Sequence, residues 1–136
     1  MKYFLLFIKK YYLSIFMFVL IFYLSTSSTP SAFPSLQKIK HIDKLVHFVL
    51  YAALTLALVI EVKAYSQLNK IILTVLLPII YGGIIECVQG LFFSFRSADF
   101  LDFLANSLGV LSTYFLSERI LRVYLFRKLL TYINKI

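Results

Sequence analysis

"IIECVQGLFFSFRSADFLDFLANSLG", residues 84–109, is two apolar runs joined by a polar turn. Glu86, Gln89, Arg96, Asp99, Asp102 and Asn106 fall within about six helical turns of one another. Glu86 and Gln89 are three apart; Asp99, Asp102, Asn106 and Gly109 follow at steps of three, four and three. Each set therefore lies on one face of a helix. An acid at the centre of a membrane helix costs about 2.5–3.5 kcal/mol on insertion scales. Near the interface the cost falls, and it is tolerated where such groups face each other or a wet cavity. The stretch reads as the end of one membrane helix, a turn and the start of the next, with a polar face on each.

The rest of the chain agrees. Of 136 residues, 61% are hydrophobic and 15% charged, and the mean hydropathy is +0.88. A soluble domain is about 45–50% apolar and about 25% charged, so the excess is too large for one globular core. The composition implies an all-α polytopic membrane protein and a single membrane domain over residues 1–136. The net charge of +8 does not indicate a nucleic-acid partner, because the basic residues sit between and after apolar runs, where topology charges sit. The lone cysteine, Cys87, cannot form an intramolecular disulfide and reads as a small buried apolar residue.

Four helices are expected, at about residues 11–27, 45–62, 71–93 and 100–116. Pro78 should kink the third. Residues 117–136 form a basic amphipathic tail, either extending the fourth helix or lying in the interface. With the N-terminus inside, the inner segments hold ten Lys and Arg residues and the outer ones four, namely Lys38, Lys40, Lys44 and Arg96. The positive-inside rule then places both termini in the cytoplasm. The first 34 residues also resemble a signal peptide. Cleavage near Ser31–Ala32 would leave three spans in the same orientation. No cysteine follows the run to anchor a lipoprotein.

In this topology the polar residues converge at the outer end. Lys44, His47 and Tyr51 share a face of the second helix, just after Asp43. Glu86 and Gln89 lie near the outer end of the third, with Gly82 and Gly83 one turn below to permit close helix approach. Asp99, Asp102 and Asn106 open the fourth. At about 1.5 Å per residue, His47, Tyr51, Glu86, Asp102 and Asn106 reach similar depth. An outward-facing polar cleft follows.

"DKLVHFVLYAAL" (43–54) and "YGGIIECVQGLFFSFRSADFLDFLANSLG" (81–109) together resemble the VanZ-like family. The shared pattern here is Asp43, Lys44, His47 and Tyr51, then Tyr81, Gly82, Glu86, Gln89, Arg96, Asp99, Asp102, Asn106 and Gly109. It covers residues 43–109, half the chain. Members often have a further glycine four residues on, where this chain has Thr113. The resemblance implies a small multi-helix protein of the bacterial cytoplasmic membrane. Its name-giving member is linked to resistance to teicoplanin, a glycopeptide that acts on the cell wall from outside.

The residue types allow two function classes. In one, Glu86, Asp102 and His47 are catalytic candidates. A buried carboxylate can act as general acid or base, and an imidazole can shuttle a proton. Lys44, Tyr51, Gln89, Arg96, Asp99 and Asn106 would bind an anionic, lipid-linked or cell-wall-precursor head group, with Arg96 gripping it bidentately. In the other class the same residues hydrogen-bond across helices, and the bundle is a non-enzymatic partner or stabilising subunit of envelope-synthesis machinery. Membrane lipids are partners in either case. His41 reads as exposed, and Glu61 and Lys63 read as boundary charges. Four short helices make a poor conduit for transport. No HExxH motif and no serine–histidine–acid set indicate a protease. The ligand types would suit a metal, but their spacing does not demand one, and no cofactor is specified.

Overall fold

The computed structural model describes residues 2–27, 42–62, 66–93 and 98–133, with side chains at 3–120. The expectations for Arg96, His41, Lys63 and the Ser31–Ala32 cleavage site lie outside these residues. Every regular element among the described residues is helical: α1 (Lys2–Lys10), α2 (Tyr12–Thr26), α3 (Ile42–Glu61), α4 (Gln67–Phe92) and α5 (Phe100–Ile133). Three of these, α3, α4 and the Phe100–Ile120 part of α5, are long and apolar enough to cross a membrane; α1 and α2 make a fourth if counted as one bent span.

Helix α2 starts close to the expected boundary, but the basic residues before it form a helix of their own. The chain bends by 74° between α1 and α2, at Tyr11, whose side chain gives α2 no capping hydrogen bond. The cap comes instead from the far end of α3. The Glu61 carboxylate accepts from Leu13 N at 2.9 Å and Ser14 N at 3.2 Å, and also from the Ser14 hydroxyl. These are the orphan amide donors that every helix start exposes. Glu61, expected to be a boundary charge of its own helix, is an N-terminal cap for another.

Helix α4 continues past its proline with a widened turn just before it. Pro78 has no amide hydrogen, and its ring crowds the carbonyl one turn back. The preceding turn, Ile72–Leu76, is a π-helix, with Leu77 N–H bonding Ile72 O. The distortion expected at Pro78 is thus a wide turn in the residues before it. The α4 start is capped by Ser66, whose Oγ accepts from Asn69 N at 3.4 Å. Helix α5 continues unbroken to Ile133, so the basic tail extends the helix. At about 1.5 Å per residue its length is about 50 Å.

Helix α3 is the centre, packed most extensively on α5 and then on α2, while α4 leans on α5. The shared core is Ile21, Tyr51, Leu54, Leu58 and Val110. Glycine sets the α3–α5 approach: a Cβ at Gly109 would run into the Phe48 carbonyl oxygen and lie 3.2 Å from Ala52 N. The two backbones meet there without an intervening side chain. Helix α4 is tied to α2 by Tyr81, which donates to Phe18 O at 2.8 Å and packs edge-on against the Phe18 ring. The outer surface is apolar, with Leu45, Val49, Leu56 and Ile84 each about half exposed. Patches this large on a monomer mark contact with lipid or protein.

Cys87 belongs to that outer surface. It is exposed, not buried as expected. Glu86 faces inward, and the next residue lies about 100° further round the helix. Cys87 therefore joins the outward face with Ile84 and Leu91.

Candidate functional site

The start of α3, the end of α4 and the start of α5 meet at one end of the bundle, and their polar faces converge there. Lys44, in the first turn of α3, is the hub of the outer layer. Its ammonium lies 2.7 Å from Asp43 Oδ2 and 2.8 Å from Asp102 Oδ1, and it also pairs with Asp99. The Asp43 side chain is about half exposed at 53%, that of Asp99 is 36% exposed and that of Asp102 only 13%. This layer grades from solvent into the bundle. Asp99 precedes α5 and also accepts from Leu101 N at 2.8 Å, as a helix-start carboxylate does. The Lys44 ammonium, and then the Leu101 amide, hold the Asp99 carboxyl below the usual carboxylate range.

One turn deeper lie His47, Glu86 and Asn106. His47 Nδ1 is 3.0 Å from Asn106 Oδ1. A carbonyl oxygen only accepts, so with Asn106 in this orientation Nδ1 is the donor of that hydrogen bond. The other ring nitrogen, Nε2, is 3.9 Å from Asp102 Oδ2, and Nδ1 is 3.8 Å from Glu86 Oε1. Glu86 Oε2 accepts from Asp99 N at 3.2 Å, which fastens α4 to the start of α5. Glu86 Oε1 has no hydrogen-bond donor among the described residues, although Glu86 is only 6% exposed. Asn106 is fully buried beneath Gly82; a Cβ on Gly82 would sit 3.3 Å from Asn106 Nδ2 and 3.2 Å from Tyr51 Cε1. The bare glycine makes room for this layer.

The sequence-predicted residues thus sort into three groups. Lys44, His47, Glu86, Asp99, Asp102 and Asn106 stand together, drawn from three helices. Tyr51 lies just beneath, fully buried, with its ring 6.4 Å from that of Tyr81 and no hydrogen-bond partner for its hydroxyl among the described residues. Gln89 points elsewhere: its amide donates to Ser25 O at 2.8 Å and joins α4 to α2. Asp99 is paired with Lys44 from another helix. Asp43, part of the residue pattern over 43–109 but not among the expected site residues, is the third carboxylate on Lys44.

Chemically the cluster combines a buried acid with one oxygen that has no donor among the described residues, an imidazole and a lysine neutralised by carboxylates. Three carboxylates, Asp43, Asp99 and Asp102, share the Lys44 ammonium, and a fourth, Glu86, lies beside His47. Comparison of the chain with protein-family models, with curated proteins and with solved structures finds no match.

Proposed function

We propose that this chain is a VanZ-like protein of the bacterial cytoplasmic membrane, with both termini cytoplasmic and four spans, that receives the head group of an anionic envelope lipid or cell-wall precursor. The observation that carries this reading is the graded cluster on α3, α4 and α5. A partly exposed rim of Asp43, Lys44 and Asp99 leads inward to Asp102, His47, Glu86 and Asn106. The excess of Lys and Arg in the inner segments supports placing this end outward. The residue pattern over 43–109 supports the family and, with it, a role like that of the member linked to teicoplanin resistance. An entering anion exchanges with the rim carboxylates for the Lys44 ammonium. Glu86, Asp102 and His47 then stand where acid–base chemistry on that head group would need them.

The test is native mass spectrometry of protein extracted gently from its membrane. Wild type is compared with Glu86→Gln combined with Asp102→Asn. The expected result is an anionic lipid or wall precursor on wild type that is absent from the variant, with both proteins equally monodisperse. Wild type carrying no such molecule overturns the reading, whatever the variant does.

A second reading rests on the links between helices. Lys44 ties α3 to α5, Glu86 ties α4 to the start of α5 and Gln89 ties α4 to α2. On this reading the polar set locks the bundle as a non-enzymatic partner subunit of envelope-synthesis machinery. The same substitutions would then lower accumulation in the membrane, with no ligand on either form.

A further inference from the structure

We propose that His47, Glu86 and Asp102 form a binding site for one divalent transition-metal ion. One ligand atom from each of the three residues lies within 4.8 Å of the other two. The second acidic group at this end, Asp43, Asp99 and Asp102, already surrounds a cation, the Lys44 ammonium. In the deeper group only Asp102 touches that cation, and His47 and Glu86 pair with no Lys or Arg among the described residues. Asp102 spans both layers, with Oδ1 on Lys44 and Oδ2 toward His47 Nε2.

Two features of the inner layer point to a metal rather than to packing alone. Glu86 Oε1 is buried and has no donor among the described residues, yet it is aimed at His47, 3.8 Å from Nδ1. A buried oxygen of this kind needs a hydrogen bond or a cation. In addition, Asn106 Oδ1, 3.0 Å from His47 Nδ1, holds the imidazole between the two acids, with Glu86 Oε1 3.8 Å from Nδ1 and Asp102 Oδ2 3.9 Å from Nε2. Holding the distal N–H of a ligating histidine is a common role for an amide or carboxylate beside a metal. One imidazole with two carboxylates suits a first-row transition ion such as Zn²⁺ or Mn²⁺ better than Mg²⁺ or Ca²⁺, which prefer all-oxygen sites. Three protein ligands leave a position for an outside group, as in catalytic metal sites. A head-group phosphate or carboxylate oxygen fits there, and a bound cation explains how an acid-rich cluster would hold an anion. That last step rests on the head-group reading; the three-ligand site does not.

The experiment uses the full chain in detergent, stripped with EDTA and titrated with Co²⁺, then with Mg²⁺. Bound cobalt is counted after desalting, and its visible absorption reports the ligand field. Wild type is expected to take one Co²⁺ per chain and to ignore Mg²⁺. Glu86→Gln and His47→Gln are expected to weaken Co²⁺ binding by at least about tenfold, since even residues that only support a ligand contribute about 10–100-fold. Glu118→Gln, far along α5, should bind as wild type. Wild type that takes up no Co²⁺ overturns the proposal, as do His47 and Glu86 variants that bind it unchanged. X-ray absorption of cobalt-loaded wild type needs no variant: imidazole scattering supports the site, and its absence overturns it. Inorganic pyrophosphate is then added to the cobalt form. A shifted spectrum supports an anion at the open position; an unshifted one, with cobalt still bound, counts against the head-group reading alone.

Discussion

Glu61 is the contact whose removal tests the fold most directly. Its carboxylate receives Leu13 N, Ser14 N and Ser14 Oγ, across 47 and 48 residues of chain. Ser14 is buried, so its amide and hydroxyl cannot turn to water without rearrangement. Loss of an N-terminal cap costs about 0.5–2 kcal/mol, and a hydrogen bond to a charged group contributes about 1.5–3 kcal/mol. The interactions share one acceptor, so they do not add in full; Glu61→Ala is expected to cost about 2–4 kcal/mol. Glu61→Gln keeps one oxygen acceptor and loses the charge, at about 1 kcal/mol. The assay is unfolding in mixed micelles by SDS, followed by circular dichroism, on Glu61→Ala, Ser14→Ala and the double variant. The Glu61–Ser14 coupling should be about 1–2 kcal/mol, in the range of contacting residues. A Glu61→Ala cost below about 0.5 kcal/mol, with fully additive effects, would refute the reasoning, because surface substitutions without such a role fall within that range.

Three further outcomes are expected. Gly109→Ala places a methyl group against the Phe48 carbonyl and should destabilise the bundle by about 1–3 kcal/mol, the usual cost of overpacking; the same SDS titration measures it, and an unchanged midpoint contradicts the close α3–α5 approach. Tyr81→Phe removes the bond to Phe18 O and should cost about 0.5–1.5 kcal/mol, loosening α2 enough to raise amide exchange in that helix. Lys44 lowers the Asp99 titration, so Asp99 contributes stability above the ordinary carboxylate range and loses it as pH falls through its own, lower value. Lys44→Met should move the Asp99 carboxyl resonance, read by ¹³C NMR on labelled aspartate, up toward the ordinary range; an unmoved midpoint would show that Lys44 does not hold it.

How much of this was legible beforehand differs by residue. Lys44, His47, Asp102 and Asn106 recur at three and four residues, and that spacing alone puts each set on one helix face. The faces then meet, because α3 packs on α5 and α4 leans on both at the same end. Gln89 shared its spacing with Glu86 but reaches Ser25 instead, since three residues of helix turn it far enough toward α2. Cys87 looked buried because its run is apolar, but in lipid an apolar run says nothing about which side faces the core. Glu61 carried no signal: its partners lie on a helix nearly fifty residues earlier, at a bend that no proline or glycine marks.

The sequence by itself determined the helical class, the approximate helices and the polar faces. Those properties are local: they follow from composition and from a period of 3.6 residues. Only the tertiary structure decided the partners. It gave Lys44 to three carboxylates, placed the Glu61 cap on α2 and left Glu86 Oε1 facing His47 with no donor among the described residues. Those outcomes depend on how far each helix is rotated about its axis and how closely it approaches its neighbour. Bare glycines such as Gly82 and Gly109 set that approach, and spacing along one chain does not encode it.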